Sequence, residues 1–190
     1  MFQQAIHQIQ LHYCSLSDAT VQKMEPCCTI SSIPKGTVLV KEGAYSDQLY
    51  FIIKGAVKAY YLKDGKNITD WFAFENDFIC AINSFFSDVP SPHYIETLEA
   101  SNLLAIGRQQ IDWLCEEHHD FERLARLGVT RTMLRLQKRV VALQFETARN
   151  RYLNLLKVHP DIELRVPLGD IASYIGITQE TLSRIRSGQL

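Results

Sequence analysis

Arginine is missing from the first 107 residues of this 190-residue chain. The seven basic residues there are all Lys, against eleven acidic ones, a net charge of −4. Residues 121–190 invert the balance, with twelve Lys or Arg against six acids, a net of +6. The chain also lacks any apolar run of the roughly 18 residues that a membrane-spanning helix needs. Its N-terminal stretch, MFQQAIHQIQLHYC, has neither the basic start nor the apolar core of a secretory signal. No membrane partner is therefore implied, and a cytoplasmic protein is the expectation. The five Cys, at 14, 27, 28, 80 and 115, contain no CxxC pair. Zinc and iron–sulfur sites need closely spaced thiolates, so no metal is expected and free, partly buried thiols are the reading adopted. Between Ile30 and Ile106 the only His is His93. A metal-dependent jelly-roll enzyme needs a His/Glu ligand set on its strands, so that class fails on ligand count and no enzyme is expected.

What remains is an ordinary globular composition, 46% hydrophobic and 22% charged. Arg forms bidentate contacts with phosphate and guanine, so an Arg-rich end fits nucleic acid. The plainer alternative is that Arg residues decorate long helices.

The most informative segment is Leu168–Gly188, LGDIASYIGITQETLSRIRSG. Apolar or small residues at Ile171, Ala172, Ile175, Ile177, Leu182 and Ile185 define two short helices, Leu168–Ile175 and Thr178–Arg186. Gly176 supplies the positive φ of the turn between them. Gln179, Glu180, Ser183, Arg184 and Arg186 point outward. This is the pattern of a DNA-reading helix-turn-helix, whose second helix enters the major groove.

Upstream the periodicity changes twice. Residues 1–28 read as short helices, with Ile6 and Ile9 on one face and Ser17 as the N-cap of the second. From Ile30 to Ile106 strands alternate with turns every 8–12 residues, and Asp64-Gly65 carries a type I′ hairpin signal. Such spacing fits a small antiparallel barrel or jelly roll. From Gln109 the helical period returns, and Asp120 is expected to cap a helix running from Phe121 to about Phe145. Leu127, Leu134 and Val141 repeat at seven, as do Met133 and Val140, and Leu124, Leu136 and Leu143 widen the stripe. A helix of about 25 residues is ~37 Å long. Its apolar surface is too broad for one partner, so one side is expected on the barrel and the other on a second copy. The competing reading buries it wholly within its own chain. A further helix spans Ala148–Val158. The expected class is α+β: an N-terminal antiparallel β-roll, or double-stranded jelly roll, flanked by helices over 1–119, a long dimerisation helix over 120–145, and a helix-turn-helix unit over 146–190.

That order resembles the Crp/Fnr superfamily of bacterial transcription regulators. In the roll the resemblance is carried by Lys35-Gly36, Glu42-Gly43, the run Leu49–Gly55 and Asp77-Phe78-Ile79. At the C-terminal end the carriers are Ile171-Ala172, Gly176-Ile177 and Glu180–Arg184. The resemblance implies a cyclic-nucleotide-binding-type roll, a homodimer on paired half-sites of double-stranded DNA, and RNA polymerase as a further partner. It places Gln179, Glu180 and Arg184 at base-reading positions. Their chemistry agrees: Arg184 suits guanine, Glu180 suits cytosine or orients Arg184, and Gln179 suits adenine. Thr178 caps the helix, and Thr181, Ser183 and Arg186 are candidate phosphate contacts. Relatives commonly continue into a hairpin wing, and none is visible within the four residues after Arg186.

The roll departs from the family where the ligand should sit. Members that bind cyclic AMP carry Gly-Glu after the Asp-Phe-Ile segment; here Cys80-Ala81 stand there. The family's phosphate-gripping Arg-Ser falls at about Ser91-Pro92. The ribose acceptor and the phosphate's cation are both missing, so cyclic AMP is not expected as a cofactor. Candidate pocket residues are Phe78, Cys80, Ala81, Asn83, Ser91 and His93, open to a different small-molecule effector or to a cyclic nucleotide held by substitute contacts. Haem held by His93 is a lesser alternative. The reading adopted is a roll filled by Phe78, Phe85, Phe86 and Tyr94, with the polar residues in surface loops.

Overall fold

The computed structural model describes residues 1–189. Two helices, α1 (Phe2–His12) and α2 (Asp18–Met24), lead into strands β1 (Cys28–Ile33), β2 (Val38–Val40), β3 (Gln48–Lys54), β4 (Val57–Lys63), β5 (Lys66–Ala73) and β6 (Phe78–Cys80). A short helix α3 (Ile82–Ser87) precedes β7 (Tyr94–Thr97) and β8 (Ser101–Gly107). Then come α4 (Arg108–Glu117), α5 (His119–Phe145), α6 (Ala148–Val158), α7 (Ile162–Arg165), α8 (Leu168–Tyr174) and α9 (Gln179–Arg186). The strands form two antiparallel sheets, ordered β1-β8-β3-β6 and β2-β7-β4-β5, which is the expected roll.

Asp64 and Gly65, at φ 52° and 72°, turn β4 into β5. Positive φ at both central residues is the type I′ signature that matches strand twist. Thr69 pairs with Tyr60 and Trp71 with Ala59, so Asp70 is an extra residue in a bulge. The runs AVKAYY and DWFAF are nearly continuous in apolar character because β4 and β5 are covered on both faces. Val57, Ala59, Trp71 and Ala73 belong to the core between the sheets. Phe72, with the adjoining Ala56, Phe74 and Leu98, instead packs against Tyr152, Ile162, Ile171 and Leu182 of the C-terminal helices. The C-terminal unit thus shares a hydrophobic core with the roll.

α5 begins at His119, two residues before the expected start, because α4 runs to Glu117 and leaves only His118 as a link. Asp120 therefore lies in the first turn and is not the N-cap. Its carboxylate turns to α2 instead. Oδ2 accepts from the Ser17 N–H and Oδ1 from the Thr20 hydroxyl, each at 2.6 Å. The Ser17 hydroxyl meanwhile caps α2, accepting from the Thr20 N–H. Burial pushes the Asp120 pKa up, but these hydrogen bonds outweigh it and hold the carboxyl below its ordinary value. A depressed folded pKa means the carboxylate's contribution is present at neutral pH and is lost as the pH falls below about 4. Asp120→Asn is expected to cost about 1–2 kcal/mol at pH 7 and progressively less as the pH falls below about 4, as read from urea melts across that range.

Candidate nucleic-acid interface and effector pocket

α8 and α9 are seven and eight residues long, each closed by a specific device. After α8, Gly176 takes φ +75° and the Ile177 N–H reaches back to the Ala172 carbonyl at 3.0 Å. A Cβ on Gly176 would also meet Leu143 of α5 at 3.3 Å, so the turn is tight on two sides. Thr178 caps α9, its hydroxyl accepting from the Thr181 N–H at 3.3 Å. Ile171, Ala172, Ile175, Leu182 and Ile185 are all buried. Their burial fixes which face of α9 remains outside.

On that outer face Gln179, Glu180, Ser183 and Arg184 are exposed, and Thr181 is half-exposed. The Thr178 hydroxyl beside Glu180 holds its carboxyl below the ordinary range. Among the described residues no ion pair joins Glu180 to Arg184, and the Arg184 guanidinium has no hydrogen bond. Arg186 is committed elsewhere: its Nε lies 2.7 Å from Glu163 Oε1, which also accepts from the Tyr152 hydroxyl at 2.7 Å. That pairing ties α9 to α6 and α7 and competes with a phosphate contact.

Four of the ten arginines after residue 120 face inward rather than toward a ligand. Arg135 pairs with Asp77 at 2.8 Å, Arg139 with Asp70 at 3.2 Å, and Arg165 with Glu75 at 2.8 Å and also with Glu99. Arg151 donates to the Ile175 carbonyl at 2.8 Å. Part of the charge asymmetry along the sequence is therefore neutralised within the fold. Arg184 stays outward on α9.

A cavity of about 650 Å³ lies between the roll and α5. Of the six candidate pocket residues, Phe78, Cys80 and His93 line it. Ala81, Asn83 and Ser91 do not. Ala81 is packed with Ile79 and Ile95 in the core between the sheets, and Asn83 is exposed on α3. The Ser91 hydroxyl closes a local turn, donating to the His93 carbonyl at 2.8 Å and accepting from its N–H. Of the four aromatics expected to fill the roll, Phe78 and Phe85 pack with its core while also lining the cavity. Phe86 is exposed at the cavity wall, and Tyr94 stacks on Tyr60 with centroids 5.1 Å apart. His93 is 4% exposed, and both its ring nitrogens lack a hydrogen-bond partner. Burial lowers its pKa and pushes the Cys80 thiol up to about 12, so both are neutral at pH 7.

A family model described as the cyclic nucleotide-binding domain matches residues 30–118, the stretch that forms the roll and α4. The cAMP-activated global transcriptional regulator CRP of Escherichia coli is 24% identical over 181 residues, covering 89% of this chain and 86% of that one. The chain is thus similar to regulators of the Crp/Fnr superfamily over most of its length. Solved structures agree on the fold. FixK2 from Bradyrhizobium japonicum superposes with a TM-score of 0.73 at 20% identity, covering 85% of this chain and 83% of that one. The c-di-GMP responsive global regulator CLP of Xanthomonas campestris gives 0.70 at 16% identity, covering 91% of each chain.

In this chain α5 has two faces. Phe121 and Leu124 are buried and Leu127 packs beside them against the roll. Met133, Leu134, Val140 and Val141 are 59%, 51%, 52% and 41% exposed, a stripe with no partner inside the described chain. Leu127 therefore lies on the roll side and not with the other four expected dimer residues. The heptad count misplaces it because the apolar surface covers more than one face near the helix start. Sequence reasoning also missed Asp70, Trp71, Thr132 and Gln137 as cavity wall. The bulge at Asp70 breaks the alternation that would have placed the first two. Leu136 sits between the faces and lines the cavity as well.

Proposed function

We propose that this chain is a homodimeric, sequence-specific DNA-binding transcription regulator that places α9 in the major groove and pairs through α5. Its roll carries an altered effector pocket that does not take cyclic AMP, and it works in the cytoplasm alongside RNA polymerase. The observation that carries the DNA reading is the outer face of α9. An unpaired Arg184 stands there between Gln179, Glu180 and Ser183 on a short helix whose other face is buried. A guanidinium without a hydrogen bond or ion pair among the described residues can offer its fork to guanine O6 and N7. The homologous regulators support the same reading.

Support for an altered pocket comes from the cavity wall. No Lys or Arg lines it among the described residues, and its one carboxylate, Asp70, already pairs with Arg139. A cyclic phosphate there would be desolvated beside Trp71, Phe78 and Leu104 with no cation, which is unfavourable by several kcal/mol. Calorimetry is expected to detect no binding of cyclic AMP or cyclic GMP at millimolar ligand.

Arg184→Ala is expected to cost about 1–3 kcal/mol at the preferred operator and to relax preference at one position of each half-site. Selection from a random DNA pool checks this. An unchanged consensus in the variant would remove Arg184 from base reading. Half-sites in the selected sequences should recur about 10 bp apart or at a multiple of that.

A further inference from the structure

We propose that the cavity between the roll and α5 binds an uncharged small molecule with an apolar body and a single hydroxyl that meets His93. The inference rests on the proposed homodimer in one respect, since the second α5 would cover the cavity mouth at Val129, Met133 and Val140.

Three observations define the ligand. First, the size: about 650 Å³ is ample for a fused two-ring or comparable body. Second, the wall: Trp71, Phe78, Leu104 and Leu136 are typical of it, and among the described residues it carries no cationic side chain. An anion finds no counter-charge, and a cation finds only Asp70, already held by Arg139 at 3.2 Å. A neutral body is what remains. Third, the polar point: His93 lines the cavity, 4% exposed, with both Nδ1 and Nε2 unpartnered. A neutral imidazole has one N–H to give and one lone pair to share. Buried nitrogens of this kind are normally satisfied, so the unpaired ring marks where the ligand's hydroxyl belongs. Tyr61 meets the ring edge-on with centroids 5.4 Å apart, which holds its plane.

The test compares three probes sharing one body: 2-naphthol, naphthalene and 2-naphthoate, by calorimetry on the full chain. The expected result is one saturable site per chain for 2-naphthol, with naphthalene and 2-naphthoate each about 10-fold weaker or more. His93→Phe keeps a ring of similar size without the nitrogens and should abolish the advantage of 2-naphthol over naphthalene. Gly128→Leu should exclude all three. Gly128 lines the cavity, and a Cβ there would meet only Phe78 Cδ2, at 4.0 Å, so the variant folds while its side chain fills the space. The inference is overturned if 2-naphthoate or cyclic AMP binds as tightly as 2-naphthol. It is equally overturned if His93→Phe leaves the naphthol preference intact, or if no probe binds. Sedimentation of the same samples separates the two readings. A monomer that binds 2-naphthol supports the pocket and overturns the dimer, whereas a dimer that binds nothing does the reverse.

Discussion

Replacing Asp170 with Ala is expected to lower the unfolding free energy by about 3–5 kcal/mol, the range seen when one partner of a buried ion pair is removed. Asp170 sits in the first turn of α8, where a carboxylate also suits the helix dipole. Its Oδ2 lies 2.9 Å from Lys58 Nζ on β4, and the two side chains are 12% and 7% exposed. The Thr69 hydroxyl reaches the other carboxylate oxygen at 3.5 Å. With Ala at 170, the Lys58 ammonium keeps only the Tyr60 ring, 4.7 Å away, as compensation. A cation–π contact is worth about 2 kcal/mol when desolvated, well short of what burying an unpaired ammonium costs. The double variant Lys58→Met/Asp170→Leu should recover most of the loss, because a buried pair and an apolar pair of similar volume are often nearly equal in stability. Urea melts of the two singles and the double give the coupling energy. A cost below about 1 kcal/mol for Asp170→Ala would mean that the pair is open in solution and that α8 is not fixed on the sheet by charge. The pair is one of several contacts between these elements. The Ser173 hydroxyl accepts from the Thr69 N–H at 2.9 Å, extending the edge of β5 into α8.

The helix-turn-helix was legible in the sequence because its determinants are local. Gly176 at the turn, Thr178 at the cap and apolar residues at helical spacing each act within a few residues of one another. The hairpin at Asp64-Gly65 was legible for the same reason. What lay hidden depends on partners far along the chain. Arg165 meets Glu75 and Glu99 of the roll, partners 90 and 66 residues away along the chain. Lys58 on β4 is covered by α8, whose Asp170 lies 112 residues further on. The cavity was hidden in a different way. Its volume is set by side chains from strands and helices far apart along the chain, Leu49, Trp71, Phe78, His93, Ile111 and Leu136 among them. A list of aromatic residues does not say whether they fill a space or only wall it. His93 shows the limit best: its position near the old pocket was evident, whereas its two unpaired nitrogens are a property of the packed structure alone.

Met133→Glu combined with Val140→Glu is expected to leave a folded monomer whose affinity for paired half-sites falls by about 10²–10⁴-fold. Val129, Met133, Leu136, Val140 and Leu143 are spaced alternately four and three residues apart along α5, the a/d interval of a two-stranded coiled coil. In the chain alone Met133 and Val140 are more than half exposed, so glutamates there disturb no intramolecular packing. Surface changes of this kind usually shift stability by less than about 0.5 kcal/mol, so thermal melts of the monomer unit should be nearly unaltered. In a two-fold pairing the seam residues of one helix face those of the other. Four carboxylates would then be buried in a low-dielectric seam without cations, and the helices separate instead. Two linked recognition helices engage the second half-site at high effective concentration, and separate ones do not. The native protein should therefore prefer paired over single half-sites by a wide margin, and the double variant should bind both with the same weak affinity. Sedimentation measures the first consequence and a gel-shift titration on the two duplexes the second. A variant that still sediments as a dimer would move the interface off α5. A monomeric variant with unchanged operator affinity would mean that each chain reads DNA alone, and the exposed stripe on α5 would then need another occupant.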